Sequence, residues 1–219
     1  MTKKRAAKRS VVRSKDFKNL LERTKGERDA HSWLKANPDV VPGGIGTVGS
    51  GMYVASEFQL GSRYRVDFIT LVPFSGGWEI HFVELEAVDA RLYTSKKTPS
   101  ASLARGLTQV EEWDGYFKQN MPQVLRDLSD FMTNNNLRSG NVIKEGIPRD
   151  NTGWHLFDPR ACLVINYHVV IGRRSAVSDE ERERVKSKVG MNQNVRIRSY
   201  DAFTDWLENC ELVEASRRK

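Results

Sequence analysis

Cysteine is nearly absent, with only Cys162 and Cys210 in 219 residues. They lie far apart and have no partners at ligand spacing, which argues against a disulfide framework and a thiolate zinc site. Both read as small buried apolar side chains in a reducing compartment. Histidine is equally sparse and scattered, at His31, His81, His155 and His168. No apolar run approaches the roughly 20 residues that a membrane-spanning helix needs. The basic N-terminus is followed by neither an apolar stretch nor a small-residue cleavage site, so it does not read as a secretory leader. Apolar residues make up only 39% of the chain. They fall in periodic clusters, however, and that pattern belongs to a folded core under a charged surface, not to disorder.

The net charge is +7, and its distribution says more than its size. Residues 1–18 carry eight Lys/Arg (Lys3, Lys4, Arg5, Lys8, Arg9, Arg13, Lys15, Lys18) against one acid, Asp16, so residues 19–219 sum to zero. Basicity is a property of the terminus, not of the domain. Residues 1–14 read as a flexible basic arm, either a solvated tail or an arm that contacts phosphates. Residues 15–212 make one domain, and 213–219 a short basic tail.

Periodicity then places the elements. Phe17, Leu20 and Leu21 mark a short helix; Ala30, Trp33 and Leu34 mark a second, stopped by Asn37-Pro38. Pro42–Gly51 is glycine-rich and reads as a loop. Met52–Leu60, Tyr64–Val72 and Trp78–Glu86 are three strands at hairpin spacing. Residues 87–101 lack periodicity, a helix follows from Ser102, and another opens at Pro122 and ends at Asn134-Asn135-Asn136. Asn141–Pro159 reads as a loop, and Ala161–Gly172 as a buried strand. Ser178 and Glu181 form a capping box for a charged helix to about Val189. Val195–Tyr200 is a strand, and Asp201 is placed to cap a last helix through Cys210. A meander, a helical segment and alternating strands and helices predict an α/β mixed sheet flanked by helices.

Three acids stand out. Asp67 lies in the apolar strand YRVDFITLV, where a carboxylate is costly unless paired or bound to a cation. Glu84 and Glu86 end the third strand in VELE; residues two apart in a strand share a face, so both carboxylates project together and Leu85 points away. Three acids on neighbouring strands can form an oxygen-rich pocket suited to Mg2+. The alternative is a solvated strand end, with Asp67 paired to Arg63 or Arg65.

These residues sit within a longer pattern: SEFQLGSRYRVDF, then W-x-x-x-F-VELE, then TPSASLARGLTQVEEWDGYF, and near the C-terminus VVIGRR followed by RIRSYDAF. In this order the chain resembles the nuclease domain of the Shedu anti-phage proteins, a branch of the PD-(D/E)xK superfamily, across roughly residues 15–210. The resemblance implies a restriction-endonuclease-like fold and Mg2+- or Mn2+-dependent hydrolysis of DNA. It implies Asp67 and Glu84 as metal ligands, joined by the Leu85 backbone carbonyl, and Gln109 as the helical glutamine of the site. Gln109 shares a helix face with Trp113 and Tyr116, which would aim all three at one region. The resemblance further implies a cytoplasmic defence protein that forms homo-oligomers, with DNA as partner and no membrane association.

The third position of the superfamily triplet, ordinarily lysine, is Glu86 here. A glutamate cannot offset charge building on a phosphate, but it can bind a second metal ion or accept a proton from water. Lys96 or Lys97 in the following loop are candidates for the missing cation. Glu57 and Glu27 are candidate outer acids. Arg173 and Arg174 are candidate phosphate contacts, with ion pairs to the acidic segment 179–183 as the alternative. Trp154 and Tyr167 either stack on bases or belong to the core. The reading from a different class keeps the fold and binds DNA without cleaving it.

Overall fold

Strands β1 (Tyr53–Leu60), β2 (Tyr64–Phe74), β3 (Gly77–Leu85), β4 (Cys162–Val170) and β5 (Val195–Arg198) form one sheet in the order β1-β2-β3-β4-β5. The computed structural model describes residues 3–47, 49, 51–135, 146–189 and 194–217. The first three strands make an antiparallel meander, and β4 and β5 add to it in parallel. Gly61, at φ +63°, supplies the left-handed residue of the three-residue turn into β2. A parallel neighbour needs a crossover, and the segment between β3 and β4 provides one that includes the helix α4 (Ala101–Asn135). The sheet is mixed, open and flanked by helices, as the sequence pattern predicts.

Each face of the sheet buries its own apolar cluster. On one, Leu103, Val110, Trp113 and Phe117 of α4 pack against Ala55, Ile69, Ile80, Phe82 and Val169. On the other, Val54, Phe68, Val83 and Val170 meet α1 (Lys3–Arg23), α2 (Arg28–Ala36), α3 (Val41–Gly44) and α6 (Asp201–Ser216) through Phe17, Leu34, Val41 and Phe203. Each such large side chain, once buried, contributes about 1.5–3 kcal/mol. Phe82 stacks on Tyr167 at 5.3 Å and meets Phe117 edge-on at 5.8 Å, so Tyr167 belongs to the core.

Several local expectations change. The first helix begins at Lys3, inside the stretch expected to be a flexible arm, and Ser14 and Phe17 are already buried. Arg13 holds Asp39 through two bonds of 3.0 and 2.9 Å, so packing against the domain starts before residue 14. At the other end α6 runs on to Ser216, through most of the expected tail. Asp201 does not cap that helix; it accepts hydrogen bonds from Arg173 Nε and the Arg174 N–H. The expected loop at Pro42–Gly51 opens with α3, whose Gly43 and Gly44 lie against Trp206 and Phe203. The two helices expected around Pro122 are both present: α4 leaves helical geometry at Asn120, two residues before the proline, and resumes beyond it. Cys162 is exposed and Cys210 only half-buried, because Cys162 starts β4 where neither helical layer covers the strand. The capping box forms as expected: Ser178 N–H donates to Glu181 Oε2 at 2.7 Å, ahead of α5 (Asp179–Val189). Asn141–Glu145 of the expected long loop lie outside the described residues. Among the described residues no helix is long and apolar enough to cross a membrane.

Candidate active site

Asp67 marks the point where two regularities of the sheet break together. On β1 the residues facing α4 are Tyr53 and Ala55 before Glu57, then Phe58 and Leu60 after it. On β2 they are Tyr64 and Val66 before Asp67, then Ile69 and Leu71 beyond. Glu57 and Asp67 occupy facing positions between the paired rungs Ser56–Phe68 and Phe58–Val66. Strict alternation would keep one parity per face, so both strands change parity at the same rung. Glu57 absorbs part of the change in a left-handed conformation, φ +59°, uncommon for a side chain other than glycine.

The second break lies between β2 and β3. Their ladder stops at Phe68–Val83, although β2 begins at Tyr64 and β3 continues to Leu85. The strands part there, and the Leu85 N–H turns to a carboxylate, donating to Asp67 Oδ2 at 2.8 Å. Glu84 sits in the opening. Its other neighbour is Gln109 of α4, whose Nε2 donates to Glu84 Oε2 at 3.1 Å. One residue past the strand, Glu86 is fully buried, and Arg105 holds both its oxygens, Nε to Oε1 at 3.0 Å and Nη2 to Oε2. Two residues of strand rise about 6.7 Å and four of helix about 6 Å. The pair Glu84/Glu86 therefore matches the pair Gln109/Arg105 across the gap.

Close approach of the helix depends on Gly106. A β-carbon there would lie 2.8 Å from Val169 Cγ1 and 3.3 Å from Glu86 Cγ. Behind the strand end, the hydroxyl of buried Tyr200 donates to the Glu86 carbonyl at 2.7 Å, and the Glu86 N–H bonds to Val170 O. The Asp89 N–H bonds to Lys25 O, tying the turn that carries Glu27 to this end of β3.

Electrostatics show which acids belong together. Burial pushes Glu84 up to about 9, and the negative charges of Asp67 and Glu86 add to that rise. Burial also raises Asp67; the Leu85 N–H, then His31 and Arg65, oppose it, and Glu27 reinforces it. Glu86 is raised by burial against the pull of Arg105. The Tyr200 hydroxyl is raised by burial and then by Asp67, Glu27, Glu86 and Glu84 together. Four carboxylates thus share one neighbourhood. Glu57 does not join them: its carboxylate pairs with Lys35, which lowers it.

Other candidates fall elsewhere. Arg173 and Arg174 are bound to Asp201 and Asp205 of α6, not to the acidic segment 179–183. Lys97 pairs with Glu180. Trp113 is wholly buried against Phe82, and Tyr116 packs on Tyr64, so of the three helix-face residues Gln109 alone reaches the acids. A shared face advances about 10 Å over seven residues, enough to leave the site. Trp154 lies under the guanidinium of Arg160. Arg63 and Arg65 make no ion pair with Asp67; His31 Nε2 is the side chain in reach, at 3.8 Å from Oδ1. His31, Arg105 and Tyr200 were not singled out from the sequence. Arg105 had a signal, since it stands one helical turn before Gln109.

The oxygens of Asp67 and Glu84 are hard donors of the type Mg2+ takes, one or two carboxylates completed by water. Among the described residues no group of three or more His, Cys, Asp or Glu side chains is arranged to hold a metal ion. Both oxygens of Glu86 already bind Arg105, which leaves Asp67 and Glu84 as the candidate pair. The chemistry of the remaining pair fits a two-carboxylate cation site.

Fold and site define an α/β protein with a buried carboxylate cluster where two central strands part. The family model for Shedu protein SduA, C-terminal, matches residues 24–204. The chain belongs to the Shedu family, and that membership points to a role in defence. No curated protein matches the chain.

Proposed function

We propose that this protein is a metal-dependent DNA endonuclease of the PD-(D/E)xK type that acts in defence against phage. The observation that carries the reading is the convergence of Asp67 and Glu84 at the parted strands, with Glu84 raised to about 9 by burial and then by the charges of Asp67 and Glu86, more than Arg105 offsets. A buried carboxylate, Glu84, beside a half-buried one, Asp67, is costly unless a cation joins them. Asp67 and Glu84 would hold Mg2+ or Mn2+, with the Leu85 carbonyl as the neighbouring backbone donor. Bound there, the ion would supply Lewis acidity to the phosphate and lower the pKa of a water.

The chain's own groups do the rest. The Leu85 N–H fixes one oxygen of the Asp67 carboxylate, and the other, 3.8 Å from His31 Nε2, would be the one to meet the ion. Gln109 orients Glu84 through its N–H and keeps its amide oxygen to accept from an attacking water. Hydrolysis adds one water across one P–O ester bond, leaving a phosphate monoester and a hydroxyl end. Glu27 lies close enough to influence Asp67 and Glu84, which suits an outer acid. Self-association and a cytoplasmic setting belong to the same reading.

A second reading, DNA binding without cleavage, is favoured by one observation: Glu86, at the position of the usual lysine, is locked by Arg105 and offers no free base. Incubating supercoiled plasmid and linear duplex with purified protein and Mg2+ or Mn2+ separates the two. The nuclease reading expects cutting that chelator, Asp67→Asn and Glu84→Gln each abolish. DNA left intact under every metal condition supports the second reading.

A further inference from the structure

We infer that Arg105 of α4 is the phosphate-contacting cation of this site, taking the part that the Glu86 position denies to lysine, and that Glu86 is the residue that positions it. The inference rests on the proposed nucleic-acid function of the same site.

Glu86 is fully buried, whereas the side chain of Arg105 is 61% exposed. A buried carboxylate paired with an exposed guanidinium makes an anchor, with the fork held at its inner edge and its outer edge left in solvent. Nε and Nη2 are spent on Glu86, and among the described residues Nη1 has no hydrogen-bond partner. Guanidinium is planar and carries five N–H donors in a rigid fork, so fixing one edge also fixes the direction of the other. That free edge matches the oxygens of a phosphate.

The placement suits the role. Arg105 stands one turn from Gln109, which touches Glu84, so the free guanidinium edge flanks the Asp67/Glu84 pair. Lys97, the sequence candidate for this charge, is engaged by Glu180 instead. Gly106 lets the helix sit low enough for the bidentate contact. A donor aimed at charge that develops during reaction, and already oriented, stabilises it without reorganisation.

A purely structural role for Arg105, neutralising Glu86, must be separated from this one. Arg105→Gln alone would leave Glu86 buried and unpaired and would confound the two. The comparison is therefore Glu86→Gln against the double variant Glu86→Gln/Arg105→Gln, in which neither protein holds a buried unpaired carboxylate. Thermal unfolding confirms that both are folded. Two readouts follow: affinity for a 20-mer duplex and single strand in Ca2+, by fluorescence anisotropy, and cleavage in Mg2+ or Mn2+. The expected result is a further loss of roughly tenfold or more in DNA affinity for the double variant, the usual weight of a charge-assisted bond. Cleavage should also fall below that of Glu86→Gln. Equal affinity and equal cleavage in the two variants, with Glu86→Gln also matching wild type in affinity, overturn the inference while leaving the nuclease reading intact; a Glu86→Gln variant already weakened to the level of the double variant supports the positioning role of Glu86. A wild type that cuts nothing, yet binds DNA in a manner that depends on Arg105, sinks the nuclease reading and supports the inference. A wild type that neither binds nor cuts DNA overturns both.

Discussion

The Asp67 carboxylate accepts the backbone N–H of Leu85 at 2.8 Å across the gap where their strands no longer pair. One oxygen thus closes the ladder, and the other, 3.8 Å from His31 Nε2, is the one proposed to meet a cation. The two tasks are separable by substitution. Asp67→Asn keeps an oxygen for Leu85 and should unfold within a few degrees of wild type in chelator. Asp67→Ala leaves that N–H without its acceptor, at about 1–3 kcal/mol. At roughly 2–4 °C per kcal/mol for a chain of this size, thermal scans should show a clear drop for alanine only. Similar midpoints for both variants would mean the bond is not made.

Glu84 should make metal-free stability depend on pH. A carboxyl whose folded-state pKa lies above its unfolded value binds its proton more tightly when folded, so its contribution is greatest at low pH. It is lost as pH climbs from the ordinary 4.5 toward about 9. In chelator, wild type should lose stability across that window, and Glu84→Gln should show a flatter profile and be the more stable of the two at pH 8. Added Mg2+ should restore wild type increasingly with pH. Parallel profiles for the two proteins would contradict the assigned burial of charge.

Gly106→Ala tests the close approach of α4. Alanine is better in a helix by about 1 kcal/mol, but its β-carbon would press on Val169, which is buried and β-branched. The helix must lift by a few tenths of an ångström, carrying Arg105 and Gln109 with it. Activity should fall by about tenfold to a hundredfold while the unfolding midpoint changes little, since small misplacements cost rate more than stability. A variant with wild-type kcat would show that the spacing is not critical.

The basic terminus should divide at Arg13. Deleting residues 1–12 removes five Lys/Arg and should weaken DNA binding and flatten its salt dependence. Deleting residues 1–18 also removes Arg13, Ser14 and Phe17, which pair with or are buried against the domain, and should destabilise the fold. Unchanged salt slopes after the shorter deletion would make the terminus a solvated tail.

The strands and the shared face of Glu84 and Glu86 were legible because period-two patterning acts within one segment. Leu85 lies in the opposite cluster, as that period requires. Gln109 was found through the resemblance, and its contact with Glu84 follows from its place on α4. What the sequence could not carry were relations between segments. The parting of β2 from β3, the reach of His31 toward Asp67 and the Arg105–Glu86 lock all depend on how distant elements meet. The same gap in information misdirected Arg173 and Arg174 toward the nearby acids 179–183. Their partners lie 28 and 31 residues on, brought close by α6. Cys162 was misread because an apolar run says nothing of where the covering helices stop.

The central claim is that Asp67 and Glu84 share one divalent cation, and Mn2+ titration followed by electron paramagnetic resonance measures that without reference to cleavage. Free Mn2+ gives a sharp signal that is lost on binding, so the stoichiometry and affinity of each protein are read directly. Wild type should take up Mn2+ saturably, and Asp67→Asn and Glu84→Gln should each lose that site while remaining folded. Saturable binding of equal strength in all three proteins, or none in wild type, would contradict the account.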